Sequence, residues 1–165
     1  MVPKSAKDDS IQLIGFYAGG KLYGVDILMT REILRDSPIE SIQNAPPFIE
    51  GSVRIRGEVI PVINLIKRLG NTDCEEPSHD ENWVLIANVG DRVLAFLVDS
   101  VAQILKIRAD SILPPPDLIL SGLRSQYIRG VCNSEFGMLV VLDLNRMFGV
   151  DEIRALKKMV IHQST

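Results

Sequence analysis

The sequence is poor in most of the residues that do chemistry. Its 165 residues include two cysteines, Cys74 and Cys132, with no CxxC spacing and no histidine-rich stretch beside either, so neither a zinc site nor a disulfide framework is suggested. They read as free thiols in a reducing compartment. Aromatic residues make up 5% of the chain and the net charge is −3, so a general nucleic-acid binder, which must neutralise phosphates with a basic face, is not expected. No stretch approaches the roughly 18 apolar residues of a membrane span, and the opening "MVPKSAKDDS" lacks the apolar run of a secretory signal. The expectation is a cytoplasmic protein without direct membrane insertion.

Catalytic templates are missing as well. There is no G-x-S-x-G, no G-x-x-x-x-G-K-[ST] and no G-x-G-x-x-G after a strand. His79 falls in an acidic stretch and His162 in the terminal tail, poor places for a base that must be held in fixed geometry. Asp26 and Asp99 occupy equivalent places in two similar segments, as the two carboxylates of a duplicated aspartic protease would. Such a dyad needs a small hydroxyl residue and a glycine after each aspartate, whereas Ile27-Leu28 and Ser100-Val101 follow here. Aspartate at a strand end more commonly accepts hydrogen bonds from the next backbone amides. Neither an enzyme, a cofactor nor a metal is expected.

What the chain has is β-branched residues: 34 are Ile or Val, which favours an aliphatic β core. "VRIRGEVIPVINL" (53–65) reads as a strand with one wet face, a tight turn at Gly57-Glu58, and a second strand buried on both sides. Pro61 within it marks an edge position or a bulge. Gly19-Gly20 reads as another hairpin turn, and Cys132 as a small apolar strand residue.

The hairpin recurs. Residues 48–70, "FIEGSVRIRGEVIPVINLIKRLG", lie without a gap over 127–149, "YIRGVCNSEFGMLVVLDLNRMFG", with five identical positions that include two glycines. Upstream, "YGVDILMTREILR" resembles "FLVDSVAQILK", so each Val-Asp pair precedes its own hairpin. Two related β units follow, a first hairpin unit over about 23–70 and a second over about 83–149. Between them "NTDCEEPSHDEN" (71–82) holds five acidic residues and no apolar periodicity, the pattern of a solvated linker. Residues 1–10 read as a flexible N-terminus, "PPP" at 114–116 as a stiff loop, and "DEIRALKKMV" as a short helix within a terminal segment spanning 150–165.

Taken in order, "LYGVDI" with the following "REI" (22–33), "FIEGSVRIRGEVIPVINL" (48–65), "RVLAFLVDSV" (92–101), and "YIRG" with "LVVLDL" (127–144) resemble the CheW-type coupling proteins of bacterial chemosensory arrays. The resemblance covers about 11–149. It implies an all-β fold of two intertwined SH3-like five-stranded subdomains. It also implies a non-catalytic adaptor joining the cytoplasmic tip of a chemoreceptor to the regulatory domain of the histidine kinase CheA. Carried over position by position, Ile27, Glu32, Ile33 and Arg56 would line one wall of a receptor-binding groove, and Val101 and Ile104 the other. Arg56 matches the arginine of the family's N-x-R-G motif. Arg54 departs from that motif's asparagine, Asn64 stands where the family usually has aspartate, and Gln103 where an acidic residue is common. The competing reading is a small β-barrel module for peptides or single-stranded nucleic acid. It would need stacking aromatics among basic residues, and Trp83 is the chain's one tryptophan.

Overall fold

The computed structural model describes residues 9–70, 83–115 and 125–149, together with positions 152, 154 and 155. Residues 1–8 of the expected N-terminal arm, the acidic linker, loop residues 116–124 and most of the terminal helix lie outside the described residues, and Ser10, expected in the arm, begins the first strand. Among the described residues ten strands carry the fold: β1 (Ser10–Ala18), β2 (Lys21–Asp26), β3 (Thr30–Arg35), β4 (Ile49–Ile55), β5 (Glu58–Asn64), β6 (Trp83–Val89), β7 (Arg92–Val98), β8 (Ser100–Arg108), β9 (Ile128–Ser134) and β10 (Gly137–Leu142). A single helical turn, α1 (Leu65–Arg68), follows β5, and a 3-10 turn over Leu144–Arg146 follows β10.

The strands form two five-stranded sheets, ordered β8-β1-β2-β10-β9 and β3-β6-β7-β5-β4. These two orders are the same once β1 to β5 are matched with β6 to β10. Each sheet takes a two-stranded hairpin from one half of the chain and three strands from the other. The protein is therefore all-β, with two SH3-like five-stranded subdomains intertwined by exchange of strands.

The repeat extends to single residues. In one hairpin the register slips between Ile49 and Gly51, opposite Ile63 and Val62. In the other it slips at the corresponding place, between Leu142 and Val141, opposite Ile128 and Gly130. The same glycines explain themselves by close approach. Residue 40 bridges to Ser52, and Leu113 bridges to Val131, so each outer strand is crossed by a passing segment. A Cβ on Gly51 would lie 2.1 Å from the Glu40 carbonyl oxygen, and one on Gly130 would lie 2.7 Å from that of Leu113.

Pro61 stands in β5, which lies between β7 and β4 and is not the edge strand expected, but its missing N–H is tolerated locally. Its partner across the hairpin is Ser52, whose N–H and C=O both engage Glu40 at 2.7 and 2.9 Å. Hence β4 asks nothing of the Pro61 nitrogen, and pairing of β5 with β7 begins only at Val62. The turn differs from expectation by one residue. The last pair is Ile55 with Glu58, so Arg56 and Gly57 are the central residues, with φ of 49° and 83°. Both angles positive is the type I′ geometry that matches strand twist. Arg56 thus projects from the turn and not from a strand.

Three apolar clusters hold the body together. Each subdomain encloses one, around Leu13, Leu105 and Leu139 in the first sheet and around Val62, Ile86 and Leu97 in the second. The largest is shared between the subdomains and combines Phe16 and Tyr23 from the first sheet with Leu85 and Phe96 from the second. Neither exchanged half can bury this shared face alone, so subdomain orientation and core burial are one cooperative property. Cys132 is buried at 4% exposure, and burial pushes its thiol up, which suits an inert packing residue. Among the described residues no helix is long and apolar enough to cross a membrane.

Candidate functional site

Glu32 and Arg56 are brought together. The Arg56 guanidinium donates to Glu32 Oε2 at 2.7 Å, across a shallow depression bounded by Arg31, Ile55, Glu58, Ile60 and Ile86. The arginine side chain is 70% exposed and the glutamate 23%, so the pair contributes little to stability, about 1 kcal/mol at most. Its role is to hold a guanidinium at the surface with most of its donors unspent.

The other expected residues sit on the opposite face of the edge strands. Glu32 pairs with Ile86, which belongs to the subdomain's own core, whereas Ile33 pairs with Leu85 of the shared core. Ile27, Ile33 and Val101 are half-buried against that shared cluster. Val101 and Ile104 face the same way although three residues apart, because the register of β1 with β8 shifts between Gly15 and Phe16. Ile104 stands 54% exposed and Leu28, at the crest of the 3-10 turn Ile27–Met29, 87% exposed. Leu28 was not among the residues expected from the sequence. Large apolar side chains held open on a rigid frame are what a partner's apolar groups can cover.

Arg54 and Arg56 do not share one wet face as strand alternation suggested. Arg54 borders a separate depression with Pro38, Glu40 and Val59, because the turn takes Arg56 out of the strand's alternation.

Two departures from the family pattern have local partners. Asn64 caps α1 by accepting from the Lys67 amide at 3.1 Å, while its own amide group donates to Glu50 Oε1 at 2.7 Å. Gln103 donates to Glu135 at 3.4 Å. In both places an acidic side chain would repel the neighbouring glutamate, whereas the amide donates to it. Glu50 is 11% exposed, so Asn64→Asp is expected to destabilise the fold by about 2 kcal/mol through like charges in a poorly solvated contact. Urea unfolding of Asn64→Asp and of Asn64→Asp with Glu50→Gln checks this, the second change restoring most of the loss.

Asp26 and Asp99 hold turns. Asp26 Oδ1 accepts from the Leu28 amide at 2.9 Å. Asp99 Oδ2 accepts from the Gly19 amide at 3.0 Å, a contact across to the β1–β2 turn and not the local one expected. Asp26→Asn and Asp99→Asn should each alter stability by about 1 kcal/mol in chemical denaturation. A peptidase activity sensitive to either change would contradict this structural role. Trp83 packs against the shared core and the Arg35 guanidinium covers its ring at 5.2 Å. It is a core residue, not a stacking platform for bases.

One conspicuous cation escaped sequence reasoning. Arg68 is 8% exposed, and its guanidinium lies over the rings of Phe148, Phe48 and Tyr127 at 4.5, 4.7 and 5.2 Å. The one available signal was its place in the repeat, where it aligns with the apolar Met147.

Comparison with known proteins gives one consistent result. The family model described as the CheW-like domain matches residues 12–152. A chemotaxis protein CheW of Treponema pallidum is 33% identical over 160 residues, spanning 96% of this chain and 94% of that protein. Another, of Klebsiella aerogenes, is 32% identical over 139 residues, spanning 84% and 81%. The crystal structure of the scaffolding protein TtCheW from Thermoanaerobacter tengcongensis is similar with a TM-score of 0.74 and 30% identity, across 86% of this chain and 94% of that one.

Proposed function

This chain belongs to the CheW-like family, and from that premise we propose that it is the adaptor of a bacterial chemosensory array, joining a chemoreceptor's cytoplasmic tip to the regulatory domain of the histidine kinase CheA. Its work is that of a chemotaxis scaffold: it holds two partners in register and turns nothing over. It is cytoplasmic and reaches the membrane only through the receptor.

The observation that carries this reading is the family match along residues 12–152. The receptor-facing groove is assigned to Ile27 and Ile33 on one side and Val101 and Ile104 on the other, along the shared-core face, with Glu32 and Arg56, on the opposite face of β3, as a charged contact at its border. Arg56 at φ 49° supports its part in it. An arginine held in the left-handed region, where asparagine or glycine is the easier choice, costs about 1 kcal/mol, and such strain is concentrated at functional positions. The apolar members supply area, and Arg56 supplies direction for a carboxylate or carbonyl on the partner.

Affinity purification of the tagged chain from its native cytoplasm tests the proposal. Receptor and kinase peptides should be recovered together. Recovery of nucleic acid that vanishes with salt, with neither protein present, would favour the single-strand-binding alternative instead.

A further inference from the structure

Arg68 and Met147 occupy the same place in the two repeats, two residues before the shared glycines Gly70 and Gly149, and they touch each other. Arg68 Nε donates to the Met147 carbonyl at 2.9 Å, and Nη2 reaches the same oxygen. Equivalent residues in contact lie at the axis that relates their units, as in any two-fold interface. Phe48 and Tyr127 are equivalent to one another as well, and their rings flank the guanidinium at 4.7 and 5.2 Å, with Phe148 at 4.5 Å. Glu152 takes both terminal nitrogens at 3.0 Å, so the buried cation stays paired. These partners come from both sheets. Phe48 enters β4 and Arg68 follows β5 in the second sheet, whereas Tyr127 enters β9 and Met147 and Phe148 follow β10 in the first. At the other end of the same two strand orders stand β3 and β8, which carry Ile33 and, across from it, Val101 and Ile104.

We propose that Arg68 is a positioning residue for receptor binding: it pins the two subdomains at one angle and thereby sets the spacing of the groove walls, a role that rests on the groove assigned above. The shared core cannot do this alone. Aliphatic side chains attract without direction and repack at a slightly different angle for little loss. A planar guanidinium held by a carbonyl, a carboxylate and three ring faces admits one arrangement. The core supplies adhesion between the subdomains, and Arg68 supplies the angle. The pin is one-sided, since one repeat gives the cation and the other, with Met147 in the same place, gives the carbonyl. Walls already at the right spacing lose less freedom when a partner docks, which raises affinity without a new contact.

Electron-spin distance measurements on the full chain read the spacing without any partner. Nitroxides are placed on cysteines introduced at the exposed positions 31 in β3 and 102 in β8, with Cys74→Ser as background and Cys132 protected by burial. Otherwise unchanged protein should give one narrow distance distribution. Arg68→Met keeps an apolar filling and loses the fork, and should widen the distribution about twofold; Arg68→Lys keeps the charge without the planar fork and should widen it as well. Labels at the exposed positions 54 and 88, both within the second sheet, should report no change. Val62→Ala, in that sheet's own core, should lower the melting temperature without widening the walls, which separates positioning from stability. With the unlabelled variants, affinity for a receptor-tip fragment should fall about tenfold in Arg68→Met and stay unchanged in Val62→Ala. Equally narrow distributions in wild type and both Arg68 variants would overturn the proposal, as would equal widening in Val62→Ala or widened walls with wild-type affinity. Absence of fragment binding by the wild type would instead remove the receptor groove itself, and the role of Arg68 in it.

Discussion

Gly51→Ala is expected to destabilise the protein by about 3 to 5 kcal/mol. The added Cβ would fall 2.1 Å from the Glu40 carbonyl oxygen, 2.8 Å from its carbon and 2.9 Å from Ile39 Cγ2. Two of these are backbone atoms, so a rotamer change gives no escape. The passing segment is tied down by two hydrogen bonds to Ser52, and moving it aside sacrifices both. The backbone angle of 155° adds strain for any residue with a side chain. Gly57→Ala is the contrast. It sits at φ 83° with nothing near the new methyl and should lose about 1 kcal/mol, the conformational cost alone. Urea denaturation of the two variants beside the wild type measures both. A Gly51→Ala midpoint equal to that of Gly57→Ala would mean that the crossing at Glu40 is not tight.

Arg56→Glu is expected to weaken binding of a receptor-tip fragment by about 2 kcal/mol or more, thirtyfold in affinity, through like-charge repulsion at a contact that loses water on binding. The free protein should change by about 1 kcal/mol or less, since the lost partner is a surface ion pair. Arg54→Glu serves as control. Arg54 borders a different depression, and its reversal should weaken receptor binding less. Glu32→Arg combined with Arg56→Glu restores an ion pair within the protein. It should recover stability without recovering affinity, which separates partner recognition from the intramolecular contact. Titration of the fragment against each variant, beside thermal melts, decides. Wild-type affinity in a folded Arg56→Glu protein would remove Arg56 from the site.

The repeated hairpin was legible in the sequence because its signals are local: alternation, a pair of glycines and an ungapped alignment. Strand exchange was expected only through the family resemblance, since nothing within β1 and β2 states that their sheet is completed by β8, β9 and β10. That choice is made by the shared core, which local patterns do not encode. The turn was placed one residue late because Gly57 is the obvious residue for positive φ, and arginine at φ 49° is uncommon. The resemblance supplied a set of six groove residues. The structure pairs Glu32 with Arg56 and sets Ile27, Ile33 and Val101 on the other face, against the shared core. Arg68 was illegible because its ring partners Phe48, Tyr127 and Phe148 come from distant segments. The amides at Asn64 and Gln103 looked like losses of charge until Glu50 and Glu135 were seen beside them.

The adaptor role is tested most directly by sedimenting purified kinase with receptor-tip assemblies in the presence and absence of this protein. With the adaptor present the kinase should enter the receptor pellet in fixed proportion to it, and Arg56→Glu should prevent this at concentrations where the wild type saturates. Equal amounts of kinase in the pellet with and without the wild-type protein would contradict the account.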